Sequence, residues 1–315
     1  MITTIGEILV EIMATTPGHG FREPLALQGP YPSGAPAIFI DQAAKFGHPA
    51  GMIGCVGADD FGRLTLDRLQ ADGVDISAIR TDPDLPTGSA FVRYRPDGGR
   101  DFVFNIRHSA AGAVQPDHAA QALIARTRHL HVMGTALAAP AVASLTEAAI
   151  AQVKQAGGTI SFDPNLRPEL LAAPGLHDTL RRVLAAADLF LPSGPELFLF
   201  TAAQEEPAAI AELLAAGLSA VIVKRGVAGA SWHDRAGSVA DPGFPATEID
   251  PTGAGDCFGA VLVAAWLQGL PPARCLRLAN GAGSLAVGRR GPMEGTGTRA
   301  QIESLCLSNS RAESD

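Results

Sequence analysis

The run Asp250-Pro251-Thr252-Gly253-Ala254-Gly255-Asp256 has the most evident chemical capacity in this chain, and it leads straight into an apolar stretch of helical length at 257–267. Small residues at 253–255 let backbone N–H groups converge at a helix start. Unpaired donors and the partial positive charge of the helix favour an anion there. Asp256 brings a carboxylate to the same place, where it can serve as a base toward a hydroxyl. An anion site and a base in one turn suit the transfer of a charged group to an alcohol. Three plainer readings stay open: Asp256 as a helix N-cap, worth about 1 kcal/mol; a fragment of a dinucleotide fingerprint; or glycines that only permit a tight turn. The second is weakened because G-x-G-x-x-G needs glycine where Phe258 stands. A Walker-type phosphate loop is excluded, since Lys45, Lys154 and Lys224 are the only lysines and none follows a G-x-x-x-x-G run.

Such a turn needs a rigid frame. Short apolar runs at 3–9, 51–56, 129–132, 159–162, 189–191 and 220–223 alternate with helix-length segments at 36–46, 62–72, 138–155, 177–187 and 206–216. That rhythm predicts an α/β fold, a mostly parallel sheet with helices on both faces. Two regions break it. Residues 88–95 and 100–107 are β-rich and joined by Pro96-Asp97-Gly98-Gly99, a hairpin signal. Residues 10–28 are irregular. Insertions at about 10–32 and 88–107 are therefore expected to form a small β lid. A second hairpin is expected at 230–239, turning near 234–237, and the polar tail 308–315 is expected to fray.

A chain of 315 residues, 47% hydrophobic, fits a single large domain over 1–315. Net charge is −8 with no basic patch or tail, which argues against a nucleic-acid partner. The longest apolar run, 258–267, is too short to cross a bilayer. Residues 1–12 lack a basic n-region and a cleavage site and read as a core strand, so no membrane association and a cytoplasmic location are expected. Cys55, Cys257, Cys275 and Cys306 form no C-x-x-C pair or metal-like group with histidine, and are expected to be buried free thiols. His129 and His131 alternate onto one strand face without a third ligand and are expected to be packed. Asp59-Asp60 suits a solvated turn with a helix N-cap.

The 250–256 segment resembles the C-terminal signature of the PfkB, ribokinase-like carbohydrate kinases, usually D-T-T-G-A-G-D. Further matches follow in order over nearly the whole chain. Ser33-Gly34-Ala35-Pro36-Ala37, ending in Phe46-Gly47, resembles the N-terminal signature. Ile53-Gly54-Cys55-Val56-Gly57 with Asp60-Phe61-Gly62 resembles V-G-x-D-x-F-G. Asp163-Pro164-Asn165-Leu166-Arg167 resembles D-x-N-x-R, and Lys224-Arg225-Gly226 with Gly229 resembles K-x-G-x-x-G. The resemblance implies a three-layer α/β/α core with a β lid and an ATP- and Mg²⁺-dependent sugar kinase. It implies that Gly253, Ala254 and Gly255 form the anion hole and that Asp256 is the base. Ser193, Lys224, Gly226, Gly229 and Asn280 would lie at the nucleotide, and Glu196 would act indirectly on Mg²⁺. Many members hold a monovalent cation such as potassium, whose ligands here would come from Asp250, Thr252 and the 287–291 loop.

The pattern also departs. Ile38 stands where the family places a sugar-binding Asn, and Ser193-Gly194-Pro195-Glu196 replaces N-x-x-E with serine in first position. Gly6-Glu7-Ile8-Leu9-Val10-Glu11 resembles the branch of fructokinases, tagatose kinases and 2-keto-3-deoxygluconate kinases. That branch implies an acceptor bound by Glu11, Ser33, Gly34, Ala35, Phe91, Asn105, Arg107 and Arg167. Paired arginines suit a carboxylate, whereas Asn105, in place of an aromatic residue, suits a neutral ketohexose. His108 stands beside Arg107. A homodimer formed through the lid is the expected assembly. Two alternatives stay open: a catalytically silent sugar-binding regulator, suggested by Ile38 and Ser193, and a nucleoside kinase of the same superfamily.

Overall fold

The computed structural model describes residues 1–18, 20–95, 99–166 and 175–312. Its main sheet has nine strands in the order Gly237–Asp241, Ala230–Asp234, Ala220–Lys224, Leu189–Phe190, Thr159–Asp163, His129–Met133, Ile2–Ile5, Ala50–Gly57, Asp75–Asp82. Seven are parallel, and the expected hairpin at 230–239 adds two antiparallel strands at one edge. Strand Ala50–Gly57 is buried along its whole length, as a parallel strand covered on both faces must be. Helices Ala35–Lys45, Ala254–Leu267 and Pro272–Val287 pack together, and His118–Arg126, Pro140–Gln155 and Leu176–Ala186 pack as a second group. The expected α/β/α core is present. Among the described residues no helix is long and apolar enough to cross a membrane.

The apolar run at 3–9 is two strands, not one. Ile2–Ile5 lies in the main sheet, and Leu9–Ala14 begins a separate sheet. The break falls at Gly6, which crosses the start of helix Ala35–Lys45 so closely that a Cβ there would sit 2.6 Å from Pro36 Cγ. The region 10–28 is likewise more regular than expected, because Leu9–Ala14 pairs with Leu27–Ser33. The small sheet runs Leu27–Ser33, Leu9–Ala14, Gly88–Tyr94, Arg100–Asn105. Its register aligns Glu11 with Ala90 and Phe104 on one face, and Ile12 with Phe91 and Val103 on the other. The turn residues 96–98 lie outside the described residues.

Two buried histidines share one hydroxyl. His129 Nε2 and His131 Nδ1 each lie 2.7 Å from Ser161 Oγ, and His131 stacks on Phe39 at 3.6 Å. Burial holds both rings below their ordinary pKa, His129 at about 3, so they are neutral core residues as expected. Asp59 caps helix Asp60–Ala71 and accepts from Gly62 N (2.8 Å), Thr87 N (2.8 Å) and Thr87 Oγ1 (2.7 Å). All four cysteines are buried free thiols.

A second polar network holds the loop 291–297. Gln42 exchanges two bonds with Gly297, at 2.8 and 2.9 Å. Arg68 donates to Met293 O and to Thr296 Oγ1 (3.1 Å), and pairs with Glu294 (3.1 Å) and Asp72 (2.5 Å). Buried Asp41 receives no donor on either oxygen, and Arg68 Nε stays 3.7 Å away. The group facing Asp41 is the Asp72 carboxylate, so a proton on Asp41 satisfies the pair. Burial first, and Asp72 second, push the Asp41 carboxyl up to about 8. Burial opposes ionisation of Asp72, but the Asp41 proton and Arg68 hold it below its ordinary range. The unfolded chain releases the Asp41 proton near pH ~4, the folded chain only near about 8. This contribution to stability is therefore complete below the unfolded pKa and is lost as pH rises through the folded one. Asp72, with its depressed pKa, acts in the opposite sense and only at acid pH. Thermal melts should show wild-type stability falling from pH 6 to 9. Asp41→Asn, which keeps a donor toward Asp72, should flatten that fall and melt about 3 °C higher than wild type at pH 9. Parallel curves for the two proteins would remove the proton from Asp41.

Candidate active site

Parallel strands deliver their last residues to one edge of the sheet, which is where ligands bind in such folds. Asp163 closes one strand and Lys224 another, and Ser193, three residues past the end of the strand between them, bridges to Lys224. The Lys224 ammonium pairs with the Asp163 carboxylate, with only 11% and 1% of their side chains exposed. Burial raises the Asp163 carboxyl, against the pull of Lys224. Glu196 accepts the N–H of Leu166 and of Ser193, each at 2.7 Å. Burial, then the charge of Asp163, raise its pKa against Lys224 and those two donors.

The glycine-rich turn is shaped by Asp250. This buried carboxylate accepts from Thr252 N (3.0 Å), Thr252 Oγ1 (2.7 Å) and Gly291 N (3.0 Å). The chain then passes through Gly253 at φ +81°, where a Cβ would lie 2.6 Å from Pro292 O and 3.1 Å from Ile38 Cγ2. Glycine is required on both counts. Gly253 is the N-cap of helix Ala254–Leu267, and no side chain caps that helix. The Ala254 N–H makes only a long bond, 3.4 Å, to Pro251 O. Asp256 is the third residue of the helix rather than its cap, which removes the N-cap alternative. Asn165, itself at φ +41°, donates Nδ2 to Asp256 Oδ1 at 3.4 Å. Lys224 Nζ lies 3.8 Å from the position a Gly255 Cβ would take.

A cleft of about 1190 Å³ runs between this turn and the small sheet. It brings together Glu11, Ser33, Gly34, Ala35, Arg107, Ser193, Glu196, Lys224, Thr252, Gly253, Gly255 and Asp256 from the expected set. Ser33 Oγ donates to Glu11 Oε1 at 2.7 Å. Gly34, at φ +109°, lets the Glu7 carbonyl approach to 2.5 Å of its missing Cβ. Ile38, almost fully buried, lines the same cleft.

Other expected residues lie elsewhere. Phe91 and Asn105 sit on the opposite face of the small sheet, with Phe91 edge-on to Phe21 at 6.0 Å. The cleft-side residues of that strand segment are Phe104 and Ile106, because side chains alternate along a strand. Asn105 and His108 instead border a smaller pocket of about 570 Å³ beside Asp59 and Asp60. Gly226, Gly229 and Asn280 belong to a neighbouring cluster. Gly229 approaches Asp241 O so closely that a Cβ would lie 2.0 Å from it, and Asn280 Nδ2 donates to Asp241 Oδ1 at 2.6 Å. Arg167 lies outside the described residues. The structure adds residues that had no assigned role: Glu7 and Arg100 in the cleft, Asn165 on Asp256, and Asp163 on Lys224. Asp163 and Asn165 carry a signal in the D-x-N-x-R match. Arg100 carries only its place at the start of a β-rich segment.

Comparison with known proteins places this geometry. The chain is 36% identical over 270 residues to a fructokinase of Klebsiella pneumoniae, covering 83% of this chain and 87% of the relative. It is 31% identical over 313 residues to a 2-dehydro-3-deoxygluconokinase of Thermoproteus tenax, covering 96% and 93%. Among solved structures, a putative ribokinase II from E. coli in complex with ATP and Mg²⁺ superposes with a TM-score of 0.92 at 45% identity, covering 98% of this chain and 99% of that one. The pfkB family carbohydrate kinase pattern matches residues 1–299. With a family match over nearly its whole length, and with the uncapped helix start and Asp256 lining the cleft, the chain belongs to the pfkB family of carbohydrate kinases.

Proposed function

We propose that this sugar kinase moves the γ-phosphoryl group of ATP, with Mg²⁺, to a hydroxyl of a ketohexose or a 2-keto-3-deoxy sugar acid in the cytoplasm. The observation that carries the reading is the uncapped start of helix Ala254–Leu267, with Asp256 on the same turn facing the cleft. Asp256 takes the proton of the acceptor hydroxyl and the oxygen forms a bond to phosphorus. The bond from phosphorus to the ADP oxygen breaks. The backbone of Gly253, Ala254 and Gly255 receives the charge on the moving group. Lys224, oriented by Asp163, faces the phosphates. Bound magnesium supplies charge neutralisation on the phosphate oxygens, and Glu196, fixed by two N–H groups, would hold its water shell. The Asp250 carboxylate is already engaged by three donors. A potassium ion beside this loop would be held by carbonyl and carboxylate oxygens of Asp250, Thr252 and the 287–291 loop, the Asp250 carboxylate keeping a lone pair free for it.

The whole chain reads as one kinase domain with the small sheet as its lid. Glu7, Glu11 and Ser33 suit sugar hydroxyls, and Arg107 at the rim suits an anionic substituent. The outer face of the lid exposes Leu27 and Val103 beside Phe91, and this reading makes it the contact between two copies of the chain.

Kinase assays over ketohexoses, keto-deoxy acids, pentoses and nucleosides check the reading. Asp256→Asn should lower kcat by about 10²–10⁴-fold with ATP affinity retained, and loss of ATP binding together with unfolding would make Asp256 structural. If the acceptor is an acid, Arg107→Met should lower kcat/KM for it by about 10–100-fold, the loss of one charged hydrogen bond, and should spare neutral ketohexoses. Sedimentation velocity should show a dimer that Val103→Lys converts to monomer.

A further inference from the structure

Arg100 brings a second cation to the anion turn. It opens strand Arg100–Asn105 and lines the cleft that also holds Gly255 and Asp256. Its Nη1 donates to Thr252 Oγ1 at 2.6 Å, and that hydroxyl donates in turn to Asp250 Oδ1 at 2.7 Å. The neighbouring arginines of the hairpin are differently placed. Arg93 and Arg95 both pair with Asp101, at 2.7 and 3.1 Å. Arg100 is described only against the Thr252 hydroxyl and the Phe102 ring, whose centroid is 5.9 Å from its guanidinium carbon. A guanidinium has five N–H donors, and a bond to the Thr252 hydroxyl, with the Asp250 carboxyl one bond further on, uses one of them and leaves donors for an anion. The guanidinium charge stands one residue before the glycine that opens the uncapped helix.

We infer that Arg100 is a catalytic residue of the transfer. With nucleotide bound, its guanidinium hydrogen-bonds the oxygens of the moving phosphoryl group, opposite the backbone donors of 253–255. It gives up no proton. The acceptor oxygen–phosphorus bond forms, the phosphorus–ADP oxygen bond breaks, and the acceptor proton goes to Asp256, while Arg100 offsets the negative charge spread over the phosphoryl oxygens. Arg100 belongs to the same sheet as Glu11 and Ser33, so the element that contacts the acceptor also carries the charge that speeds transfer. The inference rests on the proposed kinase reading.

The test compares wild type, Arg100→Met and Arg100→Lys on the best acceptor of the panel, with calorimetric affinities for ADP and for ADP–aluminium fluoride plus acceptor. Arg100→Met should lower kcat by about 10²–10³-fold while KM for ATP and the ADP affinity stay within about threefold. The fluoride complex should weaken by the same factor as kcat, and Arg100→Lys should recover part of both. A kcat within about threefold of wild type, or equal weakening of ADP and of the fluoride complex, overturns the role and leaves Arg100 a structural tie. A wild type that turns over no acceptor overturns the kinase reading and this inference together, whereas an active wild type with undisturbed variants overturns the inference alone.

Discussion

The Asp250 carboxylate is the interaction on which the site depends. It gathers three donors from two chain segments in a fully buried position. Each donor left unsatisfied there would cost about 1–3 kcal/mol. Through Gly291 it joins the anion turn to the loop that Arg68 and Gln42 hold from two other helices. Gly253 is thereby pinned between Pro292 and Ile38, with no room for a side chain. The direction of the free helix start, and with it the place an anion can occupy, is set by this clamp rather than by the helix itself.

Around that fixed point the charged side chains differ in freedom. Lys224 is committed to Asp163 inside the sheet edge. Glu196 is held by two main-chain donors. Among the described residues Arg100 meets the Thr252 hydroxyl and lies over the Phe102 ring, and it comes from another sheet. Preorganised charge costs no rearrangement when a reaction begins, while a loosely held guanidinium can follow the charge as it moves. Ile38 fills the space beneath Gly253 with hydrocarbon, so that wall of the cleft offers shape rather than hydrogen bonds to an acceptor.

Local features of the fold were legible in the sequence, and long-range ones were not. The strand at 50–57 can be read because a parallel strand buried on both faces is an unbroken apolar run. The turn at 250–256 can be read because its glycines, its carboxylate and the apolar helix are consecutive. The break after Ile5 falls where Gly6 passes close to Pro36, 30 positions on, and no periodicity within 3–9 reports it. Lys224 and Asp163 are 61 positions apart, and Arg100 and Thr252 are 152 apart. Phe91 and Asn105 show a different limit. A motif match fixes a position along a strand, but the two-residue alternation decides the face, and here it turns both away from the cleft.

The bond pair between Gln42 and Gly297 spans 255 residues. A ribosome makes the first partner early and the second near the end, at about 5–20 residues per second. For most of its synthesis the chain therefore has strands and helices but no backing for the turn at Gly253. The turn at Gly253 gains the support of Gly291 and Gly297 only once both have been made, so its shape depends on residues far along the chain from the helix that holds them.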